Sequence, residues 1–307
     1  MNRRHFLSTV AAVAAGPMVR VPGSVLVHEH VLVDFIGAEK ASRDRYALDE
    51  VVRVATPKLL ELKAHGCVRL LECTPNGLGR DPRLLARLEK ETGLELWTNT
   101  GLYGAAKRSG LYDYAWKESA RDLANRWVRE YKQGIDGVKP RFVKTAVNGF
   151  PLEEIDRKLI EAAAITSLET GLPIASHTNG GAPAAEAQLE ILRRLRCPLD
   201  KFIWVHAQSE KSLEAQEAIA RAGAWVEFDG ISEASAAGHR ECVLHLHSKG
   251  LLGRVLISQD SGWYRVGEPN GGNYRGYTYI YSGFLPTLPG DLWKPLLVDN
   301  PRRAFGT

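Results

Sequence analysis

The sequence predicts a (β/α)8 barrel of the α/β class, and three observations predict it. Short apolar runs alternate with amphipathic stretches from residue 25 onward. The runs are almost continuously apolar, the mark of parallel strands covered on both faces. Eight of them fit within the 307 residues, which is the count and the length of one such barrel. A doubly wound open sheet is the rival, but it carries a glycine-rich phosphate turn after its first strand. Here the first strand ends in HEH.

Taken in order, VLVHEH (25–30) opens the series and LDEVVRVATPKLLELKAHG follows it, with apolar residues at three- and four-residue spacing. VRLLECT (68–74) precedes DPRLLARLEKETG, and LELWTNT (94–100) and RFVKTAV (141–147) come next. LEEIDRKLIEAAAITSLETG leads into LPIASHT (172–178). FIWVHAQ (202–208), the helical EKSLEAQEAIARAG, AWVEFDG (224–230) and VLISQDS (255–261) complete the set. Gly66, Gly93, Gly171, Gly223 and Gly253 each stand just before a strand, where a left-handed helix end suits glycine. Residues 261–295, rich in Gly, Pro and Tyr, are the least regular.

Charge and cysteines narrow the function. The net charge of +4 is small and its basic residues are scattered, so no nucleic acid is expected as a partner. Cys67, Cys73, Cys197 and Cys242 lack CxxC spacing and read as small core residues. No run beyond the N-terminus is long and apolar enough for a bilayer, so no membrane insertion is expected. The N-terminal NRRHFLSTVAAVAAGP pairs Arg3 and Arg4 with Phe6-Leu7 and a short Ala/Val run. That order resembles a twin-arginine export signal. Residues 1–24 are expected to be a leader for the twin-arginine export machinery, with the barrel over 25–307 and a periplasmic or secreted location.

The candidate site comes from the strand ends. His28 and His30 are two apart, so they share one face of their strand. They lie at its C-terminal end, where barrel enzymes build their sites. Lys144, His177, His206 and Asp260 occupy the same end of other strands. Mixed nitrogen and oxygen ligands of this kind suit Zn²⁺ or a similar divalent ion. Each alone has a plain structural explanation: a bonded core histidine, a lysine reaching solvent, an aspartate capping a helix. The set of six is hard to explain that way. His245 and His247 in RECVLHLHSKG also read HxH, but on a helical period, where such residues diverge by about 200°. They are assigned with His65 and His239 to surface or packing, and His5 to the leader.

HEH on the first strand, a lysine on the fourth, histidines on the fifth and sixth and an aspartate on the eighth resemble the phosphotriesterase family of the amidohydrolase superfamily. The resemblance runs to DNPRRAF (299–305). It implies two divalent metal ions, zinc first, with cobalt, manganese or iron as alternatives, bridged by a CO2-derived carbamate on Lys144. His28, His30 and Asp260 would hold the more buried ion, His177 and His206 the more exposed one. A metal-bridging hydroxide would attack a lactone or carboxylic ester, with Asp260 taking the proton. Organophosphate triesters are the alternative substrate, and a barrel that binds a metal or small molecule without catalysis is a third reading.

Tyr103, in TNTGLYG, matches a tyrosine of the lactonase branch and is expected to act beside Asp260 and Lys144. The family often places Arg or His after the strand-seven Asp, whereas Asp229 here precedes Gly230. The long loop after strand eight carries Trp263, Tyr264, Arg265, Tyr274, Arg275 and Tyr277. These residues either shape the substrate pocket or pack the loop. Tyr103, Gly230, Trp263, Tyr264 and Arg265 are the expected pocket, and a homodimer is compatible with the sequence.

Overall fold

The computed structural model describes residues 18–306. Residues 1–17 of the expected leader lie outside the described residues. Residues after them already belong to the fold: the Val21 and Gly23 N–H groups donate to the carbonyls of His65 and Gly66.

Strands and helices alternate as β1 (Ser24–Val33), α1 (Leu48–Ala64), β2 (Cys67–Glu72), α2 (Pro82–Thr92), β3 (Glu95–Trp97) and β4 (Asn99–Thr100). Next come α3 (Asp113–Lys117), α4 (Ala120–Gln133), β5 (Phe142–Val147), α5 (Glu154–Thr170), β6 (Ile174–Thr178) and α6 (Gly181–Arg194). The chain finishes with β7 (Phe202–Val205), α7 (Leu213–Arg221), β8 (Trp225–Phe228), α8 (Ala236–Ser248), β9 (Val255–Ile257), β10 (Gly262–Arg265) and α9 (Asn300–Phe305).

Every ladder between these strands is parallel. β3 and β4 are two pieces of the expected third strand, broken at Thr98. β9 pairs with β8 while β10 pairs with β1, so the segment 258–261 between them bridges β8 to β1. The ring of neighbours is that of a (β/α)8 barrel.

Several expected strands overrun the observed ones, for one physical reason. His206 and Asp260 have φ of 65° and 49°, a left-handed backbone that leaves the ladder. The sixth strand therefore stops at Val205, and the eighth ends at Ile257, short of the left-handed turn at Asp260. Gly66, Gly93, Gly171 and Gly223 take the expected positive φ. Gly253 does not: it lies in a 3-10 turn, and Gly250, just past α8 at φ 72°, is the left-handed residue.

The core has two layers. One lies between strands and helices, with Leu26, Val31, Leu59 and Trp204 among its members. The other packs Val25, Val27, Leu71, Phe142, Ile203 and Leu256 with Ala304 and Phe305 of α9. β1 contributes Val27 to the inner layer although His28 lines the site cavity. A bulge reconciles them: between Leu26↔Leu70 and Glu29↔Glu72, β1 advances one residue more than β2. All four cysteines are free and buried, as the spacing suggested.

Candidate metal centre

His28, His30, Lys144, His177, His206 and Asp260 line one cavity of about 60 Å³, with Tyr103 and Trp263 beside them. Six side chains from distant parts of the chain thus meet at the strand ends. Each imidazole has an outer nitrogen held by another residue. His28 Nδ1 lies 2.8 Å from Glu227 Oε1 and 3.3 Å from Asp229 Oδ2. His206 Nδ1 lies 2.5 Å from Asp229 Oδ1. His30 Nδ1 lies 2.7 Å from Thr74 Oγ1, whose own O–H donates to Leu32 O.

The Asp229 carboxylate, held ionised, faces the Nδ1 atoms of His28 and His206, and Thr74 offers His30 only a lone pair, so the proton sits on Nδ1 and the lone pair on Nε2. His28 and His30 turn those lone pairs toward Asp260 Oδ1, at 3.9 and 3.2 Å. Asp260 Oδ1 is buried and has no hydrogen-bond partner. Lone pairs and an anionic oxygen therefore face one another with no proton between them. A divalent cation satisfies such a set, and the ligand atoms of His28, His30 and Asp260 lie within 4.8 Å of one another. Lys144 is 2% exposed, and its Nζ lies 3.2 Å from His28 Nε2.

The electrostatics agree with neutral imidazoles. Burial, then the Lys144 charge, hold His28 down to about 4, and burial lowers His30 as well. Burial and the neighbouring His206 take His177 well below its ordinary range. His206 is the exception: burial opposes its charge, but Asp229 outweighs it and the ring is raised. Glu227, buried beside Asp229, is pushed far up.

Tyr103 sits with its hydroxyl 3.1 Å from His177 Nδ1, while Asn179 Oδ1 faces Nε2 at 3.2 Å. Trp263 lies over His30 at 4.5 Å and stacks on Phe35 at 5.6 Å. The other expected pocket residues lie elsewhere. Tyr264 is buried against α1, its hydroxyl donating to Glu50. Arg265 faces Glu268 at 3.6 Å, and Gly230 does not line the cavity. Tyr277 packs the loop, donating to His30 O. Val33, Phe35, Cys73, Thr74, Pro75 and Leu78 complete the lining instead.

Sequence reasoning missed Glu227 and Thr74, and gave Asp229 no role. Glu227 and Asp229, two apart at a strand end, carried the same alternation signal as His28 and His30. A neighbouring cavity of about 400 Å³ is lined by Asp34, Arg43, Tyr46 and Arg80. Its charges are spent on neighbours outside the lining, through Arg45–Asp34, Arg43–Asp136 and Arg80–Glu130 pairs.

Comparison with known proteins bears on this site. A phosphotriesterase homology protein of Escherichia coli is 28% identical over 294 residues, covering 92% of this chain and 98% of its own. An aryldialkylphosphatase of Saccharolobus solfataricus is 28% identical, covering 78% of this chain and 76% of its own. Among solved structures, a lactonase from Listeria monocytogenes superposes with a TM-score of 0.79 at 23% identity, over 94% of this chain and 98% of its own, a likeness of fold. The model of the phosphotriesterase family matches residues 13–305. The chain therefore belongs to the phosphotriesterase family, whose members include hydrolases acting on ester bonds.

Proposed function

We propose that this protein is a binuclear metal-dependent hydrolase whose preferred bond is a lactone or carboxylic ester. One observation carries the metal part: the orphaned Asp260 Oδ1 facing the Nε2 atoms of His28 and His30. His28, His30 and Asp260 would hold one ion and His177 and His206 the other. Lys144 would be shared between them as a carbamate, since a buried ammonium beside two dications is electrostatically untenable. When bound, the ions supply an acidified water as nucleophile and a Lewis acid for the attacked oxygen.

The chain does the rest. Asp260, whose carboxylate is partly open to the cavity, is placed to take the proton released by the attacking water. Burial first, then the nearby carboxylates, raise Tyr103, so its O–H stays intact at working pH and donates to the developing oxyanion. Val33, Phe35, Pro75, Leu78 and Trp263 form a wall that excludes water and seats an apolar arm. Among the described residues Lys144 is the one Lys or Arg in the lining, which favours an uncharged substrate.

Organophosphate triester hydrolysis is the second reading, favoured by the aryldialkylphosphatase relative. Metal analysis combined with a panel of lactones, carboxylic esters and a paraoxon-like triester decides between them. The expected result is about two equivalents of metal, lactone kcat/KM above that for the triester, and labelled bicarbonate incorporated as a carbamate that chelation removes. Metal-loaded protein inert on the whole panel would sink the hydrolase reading. Export belongs to the same proposal, and a reporter fused to residues 1–24 that stays cytoplasmic refutes it.

A further inference from the structure

The middle residue of HEH has no place in the ligand set, yet it is as buried as the histidines around it. Glu29 is fully buried. Among the described residues no cationic side chain pairs with its carboxylate. A buried carboxylate without a counter-charge is unfavourable unless donors satisfy it. Its donors come from one short segment. Glu29 Oε1 accepts from Ser258 Oγ at 2.8 Å and from the Gln259 N–H at 2.9 Å. Oε2 accepts from the Ser261 N–H at 2.6 Å.

These donors lie on both sides of Asp260. The Asp260 N–H itself points the other way, to His28 O at 3.0 Å, and the His30 N–H donates to Ser261 O at 2.9 Å. Two N–H groups can converge on one anion across an intervening residue when that residue takes a left-handed backbone, the geometry of an anion-binding nest. Asp260 has that backbone, φ 49°, which is unfavourable for a residue other than glycine. The bulge in β1 between Leu26 and Glu29 sets Glu29 opposite this segment.

We propose that Glu29 is a positioning residue: by gathering the N–H groups of Gln259 and Ser261 it forces the turn at Asp260 that aims the Asp260 carboxylate at the metal site. The site then owes its oxygen ligand to the residue between its two histidine ligands. Without the Glu29 carboxyl oxygens to gather these donors, the backbone at 260 relaxes and Asp260 Oδ1 leaves its place 3.2 Å from His30 Nε2. The inference rests on the proposed function only in requiring that the site binds metal.

Zinc affinity by chelator competition, and the visible spectrum of cobalt-loaded protein, test it in wild type, E29Q, D260N and the double variant. E29Q keeps one oxygen acceptor but turns an amide N–H₂ on the third donor. It is expected to weaken zinc by about tenfold to a hundredfold and to shift the cobalt spectrum. The double variant is expected to be no weaker than D260N alone, because Glu29 acts through Asp260. Additive losses, or E29Q with wild-type affinity and an unshifted spectrum, overturn the proposal. If E29Q does not fold, S258A, which removes one of the three donors, is expected to show a smaller loss in the same direction, and unchanged affinity overturns it. Wild-type protein that takes up neither zinc nor cobalt sinks the hydrolase reading and this one together.

Discussion

Thr74 stands behind His30 and Glu72 behind Thr74, and each makes a prediction at the scale of a residue. The Thr74 hydroxyl spends its proton on Leu32 O and so offers His30 Nδ1 only a lone pair. That choice fixes the tautomer and frees His30 Nε2. Thr74→Val keeps the shape and removes the acceptor, so zinc affinity is expected to fall by about tenfold to a hundredfold. Chelator competition reads it, and unchanged affinity would show that Thr74 does not set the tautomer. Glu72 accepts from the N–H groups of Val31 and Thr74, and burial pushes its carboxyl up to about 7. A carboxyl raised above its ordinary 4.5 favours the fold fully below that pH, and the contribution is lost as pH rises through about 7. E72Q has no such ionisation. Wild-type stability relative to E72Q is therefore expected to drop by on the order of 3 kcal/mol between pH 4.5 and 8. Thermal melts across that range test it, and a constant difference contradicts it.

At the scale of an element, the strand ends show what the sequence exposes and what it hides. Period-two spacing exposes that His28 and His30 share a face. It hides the bulge at Leu26–Glu29, because register belongs to the pairing with β2 and not to β1 alone. The apolar pattern likewise carries FIWVHAQ and VLISQDS past their true ends, since hydrophobicity does not report a positive φ at His206 or Asp260. Tyr264 was misjudged for a related reason: β10 resumes after the 258–261 segment and turns that ring toward Glu50 on α1. Gly262 is where this geometry is least tolerant. It has φ 92°, and a Cβ there would collide with the His30 carbonyl oxygen of the paired strand. Gly262→Ala is expected to cost about 1–3 kcal/mol and to weaken metal binding as well, because β10 and the His30 backbone must separate. A calorimetric melt and a zinc titration on the same sample check both. Lost stability with intact zinc affinity would mean that β10 does not support the site.

Across the whole molecule, the fold was legible because barrel strands and helices announce themselves locally. The apolar runs, the helical spacing and Gly66, Gly93, Gly171 and Gly223 each need only a few neighbouring residues. The six converging side chains were legible too, as like residues at like strand ends. The shell behind them was not: His28 meets Glu227 across 199 positions, and Ser261 meets Glu29 across 232. Such contacts exist only once the ring has closed. The same fact gives the last prediction. The candidate cation ligands, drawn from β1, β5, β6, the turn after β7 and the segment after β9, would tie together strand ends that form no site in the unfolded chain, so bound metal should stabilise the fold by linkage. At a free zinc concentration a thousandfold above its dissociation constant, one site adds about 4 kcal/mol. For a large single domain that corresponds to a rise in Tm of roughly 10 °C. Calorimetry at increasing zinc should show Tm climbing with the logarithm of free metal, with a chelator returning it to the starting value. In D260N the climb should be reduced, since the ligand set loses its charged oxygen while the barrel keeps its packing. A Tm indifferent to zinc in wild-type protein would mean that these side chains meet without forming a cation site.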